Sequence, residues 1–153
     1  MGNIDVLVVT EAKLDETFST SSFMIDGFSK PYRKDRNANG GGVLIYIRDD
    51  IPSKELKHHC FPDDIEGIFV ELNFRKTKWL LFRSYHSPSQ PVTYYLQKVS
   101  NSLDIYIPKY DHFLLAGDFN AEDSEPELCD FLDKFGAQKY SKREHVLQKR
   151  SKS

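Results

Sequence analysis

Apolar stretches of strand length, separated by turn residues, recur along this chain, and such runs read as β-strands. Ile4–Val9 (IDVLVV) is a compact β-branched run that ends at Thr10-Glu11. Gly42–Arg48 (GVLIYIR) is a second, launched from a triple glycine. In Glu66–Phe74 (EGIFVELNF) the alternation is clean. Ile68, Val70, Leu72 and Phe74 share one face, and Glu71 and Asn73 the other. Trp79–Tyr85 (WLLFRSY) is a fourth strand, and the short Arg75–Lys78 turn predicts an antiparallel hairpin with the third. His112–Phe119 (HFLLAGDF) is a fifth.

Helical periodicity is confined to two places. Leu96, Val99 and Leu103 recur at spacings of three and four, predicting a helix over Val92–Ile107 that stops at Pro108. A second helix opens at Ser124-Glu125-Pro126-Glu127, where Ser124 can cap, Glu127 can close a capping box and Pro126 fits the first turn. Its buried stripe is Leu128, Phe131, Leu132 and Phe135, and Gly136 ends it. Residues 138–153 are polar, basic and weakly periodic, and read as a disordered tail beyond a domain spanning 1–137. Runs of strands with helices between some of them predict an α+β fold, a layered α/β sandwich with part of its sheet antiparallel. Five strands and two helices are few for a two-sheet core, so the sandwich reads as incomplete.

With 153 residues, 39% of them hydrophobic and 29% charged, the composition fits an ordinary globular protein. No apolar run reaches membrane-span length, and the start MGNIDVLVVTEAKL lacks the regions of a signal peptide. Cys60 and Cys129 form no disulfide framework or metal spacing, and read as reduced, buried thiols of an intracellular protein, nuclear or cytoplasmic. The net charge of −2 is uneven: Lys139, Lys142, Arg143, Lys149, Arg150 and Lys152 crowd the last 16 residues against Glu144. The remainder, 15 basic against 22 acidic residues, does not advertise non-specific affinity for DNA, so any nucleic-acid contact needs a local patch or a metal.

Gly117-Asp118-Phe119-Asn120 closes the fifth strand, and alternation puts Asp118 and Asn120 on one face. A carboxylate and a carboxamide at a strand exit can orient a water and a phosphate oxygen, although a strand-capping turn is the plainer account of that tetrapeptide alone. Glu11 follows the first strand directly, and its carboxylate is a hard oxygen ligand suited to Mg²⁺, although a solvated glutamate at a strand-to-loop junction is the plainer account of it taken singly. Tyr85 ends the fourth strand in Tyr85-His86-Ser87-Pro88, where a phenol can donate to a phosphate or simply pack. Arg33-Lys34-Asp35-Arg36 precedes Asn39-Gly40-Gly41-Gly42, a basic cluster beside a glycine turn that can meet phosphates. A solvated loop feeding a hairpin accounts for it equally well, and no phosphate-loop motif is present. His58, His59, Cys60, His86 and His112 lack ligand spacing and read as structural.

Thr10–Leu14, Arg33–Arg36, Gly40–Val43, Tyr85–Pro88 and Gly117–Ala121, in this order over roughly residues 4–137, resemble the endonuclease/exonuclease/phosphatase superfamily. Among its branches they are most similar to the endonuclease domains of non-LTR retrotransposons. The resemblance implies a DNase I-like sandwich and hydrolysis of a DNA phosphodiester assisted by Mg²⁺ or Mn²⁺, with no small-molecule cofactor and no membrane. It makes Glu11 the metal ligand, Tyr85 a phosphate contact, Asp118 the group that positions the attacking water, and Asn120 its helper. Arg33 and Arg36 become contacts to the substrate phosphate. The family also has an earlier strand bearing an Asn, and later strands bearing an Asp and an Asp-His pair. This pattern has no place for them, and His145 is not taken for that histidine. The expectation is therefore a member cut short at both ends, with an inactive remnant, or a phosphatase or sphingomyelinase-like member, as alternatives.

Overall fold

A computed structural model describes residues 4–36, 41–57, 63–120, 126–139 and 145–150. The expected strands form β1 (Val6–Thr10), β3 (Val43–Ile47), β5 (Glu66–Phe74), β6 (Thr77–Tyr85) and β7 (His112–Asp118). Three-residue β2 (Tyr32–Lys34) and β4 (Ser53–Glu55) join them. Both are too short and too polar for a period-two signal to rise above background. Helix α1 (Val92–Tyr106) tightens at its end into a 3₁₀ turn, Ile107–Lys109, around Pro108. Helix α2 runs Pro126–Phe135, while its expected cap Ser124 lies outside the described residues.

The stretch read as a disordered tail differs from that expectation. Gln138–Lys139 (β8) and His145–Arg150 (β9) are strands, and β9 pairs antiparallel with β7 from His112↔Arg150 to Gly117↔His145. Backbone demand explains the difference: the outer edge of β7 carries donors and acceptors that a neighbouring strand satisfies whatever its side chains.

The strands make two sheets, ordered β1-β3-β2 and β4-β5-β6-β7-β9-β8. The β5–β6 hairpin is antiparallel as expected, turning on Arg75 and Lys76, both with left-handed backbone (φ 49° and 65°). Strands β6 and β7 run parallel, with α1 as the connection between them.

Alternation assigns each face of the larger sheet its own core. Phe69, Leu80, Phe82, Phe113 and Leu115 pack on Tyr95, Leu96, Val99 and Leu103 of α1 and on Leu128, Phe131 and Phe135 of α2. On the opposite face Ile68, Val70, Leu72 and Leu81 meet Val43, Ile45 and Ile47 of β3, with Phe74 packed beside them. All five residues of β3 are buried, because Leu44 and Tyr46 pack outward under Leu14 and Phe28. The result is the expected layered α+β sandwich. Cys129 departs from the expected burial: it is exposed, one step of about 100° round α2 from Leu128. Cys60, His58 and His59 lie outside the described residues. Among those described, no helix is long and apolar enough to cross a membrane.

Candidate active site

Because β6 and β7 are parallel, both end at the same edge of the sandwich, with Tyr85 paired to Asp118. Antiparallel β5 starts there, with Glu66 paired to Tyr85. Glu66, Tyr85 and Asp118 thus form a row across three strands. Alternation turns them toward the smaller sheet, on the side of Ile68, Leu81 and Leu114. All three are half-buried.

The smaller sheet brings its own residues to this edge. Glu11 follows β1, and the next residues are tied to the start of β3 by Ala12 N–H to Gly42 O (3.4 Å) and Lys13 N–H to Gly41 O (3.0 Å). Arg36, after β2, pairs with Glu66 at 3.2 Å. Gly41 sits against that pair, where a Cβ would fall 2.6 Å from Arg36 Cδ and 3.2 Å from a Glu66 carboxylate oxygen. With φ +75° and no room for a side chain, glycine is required there. Here the mouths of the two sheets meet.

Backbone strain concentrates at this mouth. Of the five non-glycine residues with positive φ among those described, Glu11 (54°), Lys13 (51°) and Asn120 (43°) lie at the exits of β1 and β7. Such conformations cost about 1–3 kcal/mol each and persist where the surroundings over-determine them, as at functional sites. Asp118 Oδ1 accepts from the Asn120 backbone N–H at 3.0 Å, a turn that bends the chain out of β7. Asn120 Nδ2 donates to the His86 carbonyl at 2.5 Å, and the residue as a whole is exposed.

The two arginines expected to meet phosphate are placed very differently. Arg33 directs Nε to Asp35 (2.8 Å), Nη1 to Phe18 O (2.6 Å) and Nη2 to Asp15 O (2.7 Å). Its guanidinium binds the 15–20 loop to β2, and Asp35 beside it holds its pKa above the ordinary value. Arg36 has one described partner, Glu66, and is exposed at the mouth.

Two residues of the mouth were missed in the sequence. Glu66 begins the apolar parity of β5, and Arg83 interrupts that of β6 between Leu81 and Tyr85. Arg83 is 3% exposed, and its Nη1 donates to Ser84 O at 2.8 Å. It places a cation directly beneath Tyr85 and beside Gly117, 3.4 Å from where a Cβ would stand. A charge on the apolar parity of a strand is the signal that marks both. His112, by contrast, lies tilted against Trp79 at the far end of the sheet, ring centroids 4.4 Å apart.

A divalent ion fits the donor set here. Glu11 is an exposed hard-oxygen donor that makes no ion pair with a described residue, and Mg²⁺ takes only one or two protein carboxylates while keeping several waters. Among the described residues no group of three or more His, Cys, Asp or Glu forms a closed metal cage.

The fold is shared with solved structures. The endonuclease domain of TRAS1, a telomere-specific non-LTR retrotransposon, superposes with a TM-score of 0.66 at 14% identity, over 94% of this chain and 71% of that one. The human Nocturnin catalytic domain with bound sulfate gives 0.64 at 13%, over 94% and 68%. D. rerio TDP2 complexed with single-strand DNA product gives 0.64 at 15%, over 97% and 72%. No curated protein matches the sequence significantly. The model of the Endonuclease/Exonuclease/phosphatase family matches residues 1–148. With that match spanning nearly the whole chain, the protein belongs to the endonuclease/exonuclease/phosphatase family.

Proposed function

We propose that this mouth binds a phosphodiester of DNA beside one Mg²⁺ or Mn²⁺ ion and hydrolyses it. The observation that carries the reading is the Tyr85–Asp118 pair at the joint end of two parallel strands, with Asn120 turned out beside it. Asp118 orients and deprotonates the attacking water, and the Asn120 carboxamide holds that water or a phosphate oxygen. Tyr85 donates its hydroxyl to a phosphate oxygen as charge develops there. Arg36 exchanges Glu66 for the incoming phosphate, and buried Arg83 supplies positive potential from below. Arg33, with its guanidinium engaged by the 15–20 loop, has no part in substrate binding. Glu11 would hold the ion, which when bound would offset charge on the phosphate. Likeness to TRAS1 endonuclease and to TDP2 with a DNA product supports DNA as the substrate.

A second reading is retention of the fold without turnover. Nicking of supercoiled plasmid in Mg²⁺ separates the two. Chelator-sensitive nicking should fall by about 10²–10⁴-fold in Asp118→Ala, the usual worth of a general base. Equal background from both proteins would defeat the hydrolytic reading. Turnover of bis-p-nitrophenyl phosphate without nicking would move the substrate from DNA to a small phosphodiester.

A further inference from the structure

His86, which the spacing of histidines marks only as structural, is 2% exposed and lies between the exits of β6 and β7. Its backbone N–H donates to Asp118 O at 2.9 Å, and its carbonyl receives Asn120 Nδ2. The ring reaches further. Nδ1 stands 2.5 Å from Phe119 O, and Nε2 stands 2.7 Å from Gln90 O. A carbonyl oxygen only accepts, so both contacts are hydrogen bonds only when both ring nitrogens carry protons. A neutral imidazole would set one nitrogen lone pair against an oxygen lone pair at that distance.

The surroundings suit a cation. Burying a charge is costly unless it is hydrogen-bonded, and here both N–H groups find carbonyls. The Tyr95 ring, on α1, lies against the imidazole with centroids 4.7 Å apart and planes tilted by 34°, within cation–π distance. Burial keeps the Tyr95 phenol in its neutral form, raising its pKa well above the ordinary value. Charged side chains on the adjoining segments include Arg83 on β6, Asp118 on β7, and Asp64, which Gln90 reaches at 3.3 Å.

Resting on the phosphodiesterase reading above, we infer that His86 is a positioning residue of the site. As an imidazolium it clamps the Ser87–Gln90 turn to Phe119 and so fixes the backbone from which Asp118 and Asn120 project. Phe119 is the residue between those two, and Asn120 is held in a left-handed conformation that an unclamped chain would leave.

Long-range ¹H–¹⁵N spectra of the full chain test this directly, and should show both His86 ring nitrogens protonated at neutral pH. His86→Phe keeps a ring against Tyr95 but makes neither carbonyl bond. Its amide exchange at Gln90 and Asn120 should quicken by about tenfold or more, the worth of one charge-assisted hydrogen bond, while the β5–β6 hairpin is unchanged. Nicking should lose kcat with little change in KM. A neutral, single-tautomer ring, or unaltered exchange at Asn120 in the variant, overturns the inference. Should His86→Phe fail to fold, the ring state of the unaltered chain decides alone. Absence of nicking in the unaltered chain would defeat the hydrolytic reading but leave these spectra to judge the clamp.

Discussion

Gly117→Ala puts the strand pairing beneath the site to a quantitative test. Gly117 pairs with Ser84 one step below Tyr85 and Asp118. A Cβ added to it would meet the Ser84 carbonyl oxygen at 2.7 Å, with Arg83 Nη1 at 3.4 Å. The first of these is backbone and cannot swing aside. Reaching ordinary contact requires β6 and β7 to part by about 0.7 Å at this point, the gap between 2.7 and 3.4 Å. Overpacking of this kind costs about 1–3 kcal/mol. Alanine recovers about 0.4–1 kcal/mol by narrowing the unfolded ensemble, so at the middle of both ranges the net loss is about 1–1.5 kcal/mol. For a chain of this length that lowers Tm by about 2–6 °C. The same parting separates Tyr85 from Asp118, and a misplacement of about 1 Å at reacting groups can cost about 10²-fold in rate. Gly27→Ala is the control. Its φ of +83° makes alanine strained, but nothing lies within 4 Å, and it sits beyond the far end of β3. It should lower Tm while leaving nicking intact. A Gly117→Ala protein that melts with the unaltered chain and nicks at its rate would refute the strand-contact reasoning.

Replacing the hairpin tip Arg75-Lys76 by Asn-Gly should raise stability by about 1 kcal/mol in denaturant unfolding. Relief of two left-handed backbones outweighs the lost stacking of Arg75 on Phe74 at 5.0 Å. Arg33→Ala should lower Tm by freeing the 15–20 loop while leaving KM for a phosphodiester unchanged, and a raised KM at unchanged Tm would return Arg33 to the substrate. The Tyr110 hydroxyl on Glu71 (2.8 Å), with Lys54 nearby, holds the Glu71 carboxyl below its ordinary 4.5. A depressed carboxyl stabilises the fold above its unfolded value and loses that contribution as pH falls through the folded one. Tyr110→Phe should therefore be less stable than the unaltered chain above pH 4.5 and converge with it in stronger acid, as followed by urea unfolding against pH.

Much of the fold is legible locally. Ile68, Val70 and Leu72 alternate because one side of β5 faces the smaller sheet, and Phe69 faces α1. The stripe of α2 is equally plain, and its register also explains why Cys129 is exposed. By contrast β2, β4 and β9 owe their strand state to the strands they join, and Tyr-Arg-Lys or His-Val-Leu-Gln-Lys-Arg carries no period strong enough to announce it. Candidate chemistry was legible where polar residues stop an apolar run, at Glu11, Tyr85 and Asp118. It was hidden at Glu66 and Arg83, where a charge occupies the apolar parity, and at His86, whose partners are backbone carbonyls contributed by other residues.

The sequence by itself determined the five main strands, which face of each is apolar, and which polar groups stand at their ends, since these depend on a short segment's periodicity against water. Only the tertiary structure decided that Glu66, Tyr85 and Asp118 stand in one row, that Arg36 pairs with Glu66 while Arg33 braces a loop, and that a segment rich in lysine and arginine joins a sheet. Those outcomes depend on hydrogen-bond register and sheet closure between segments distant in the chain, to which local alternation is blind.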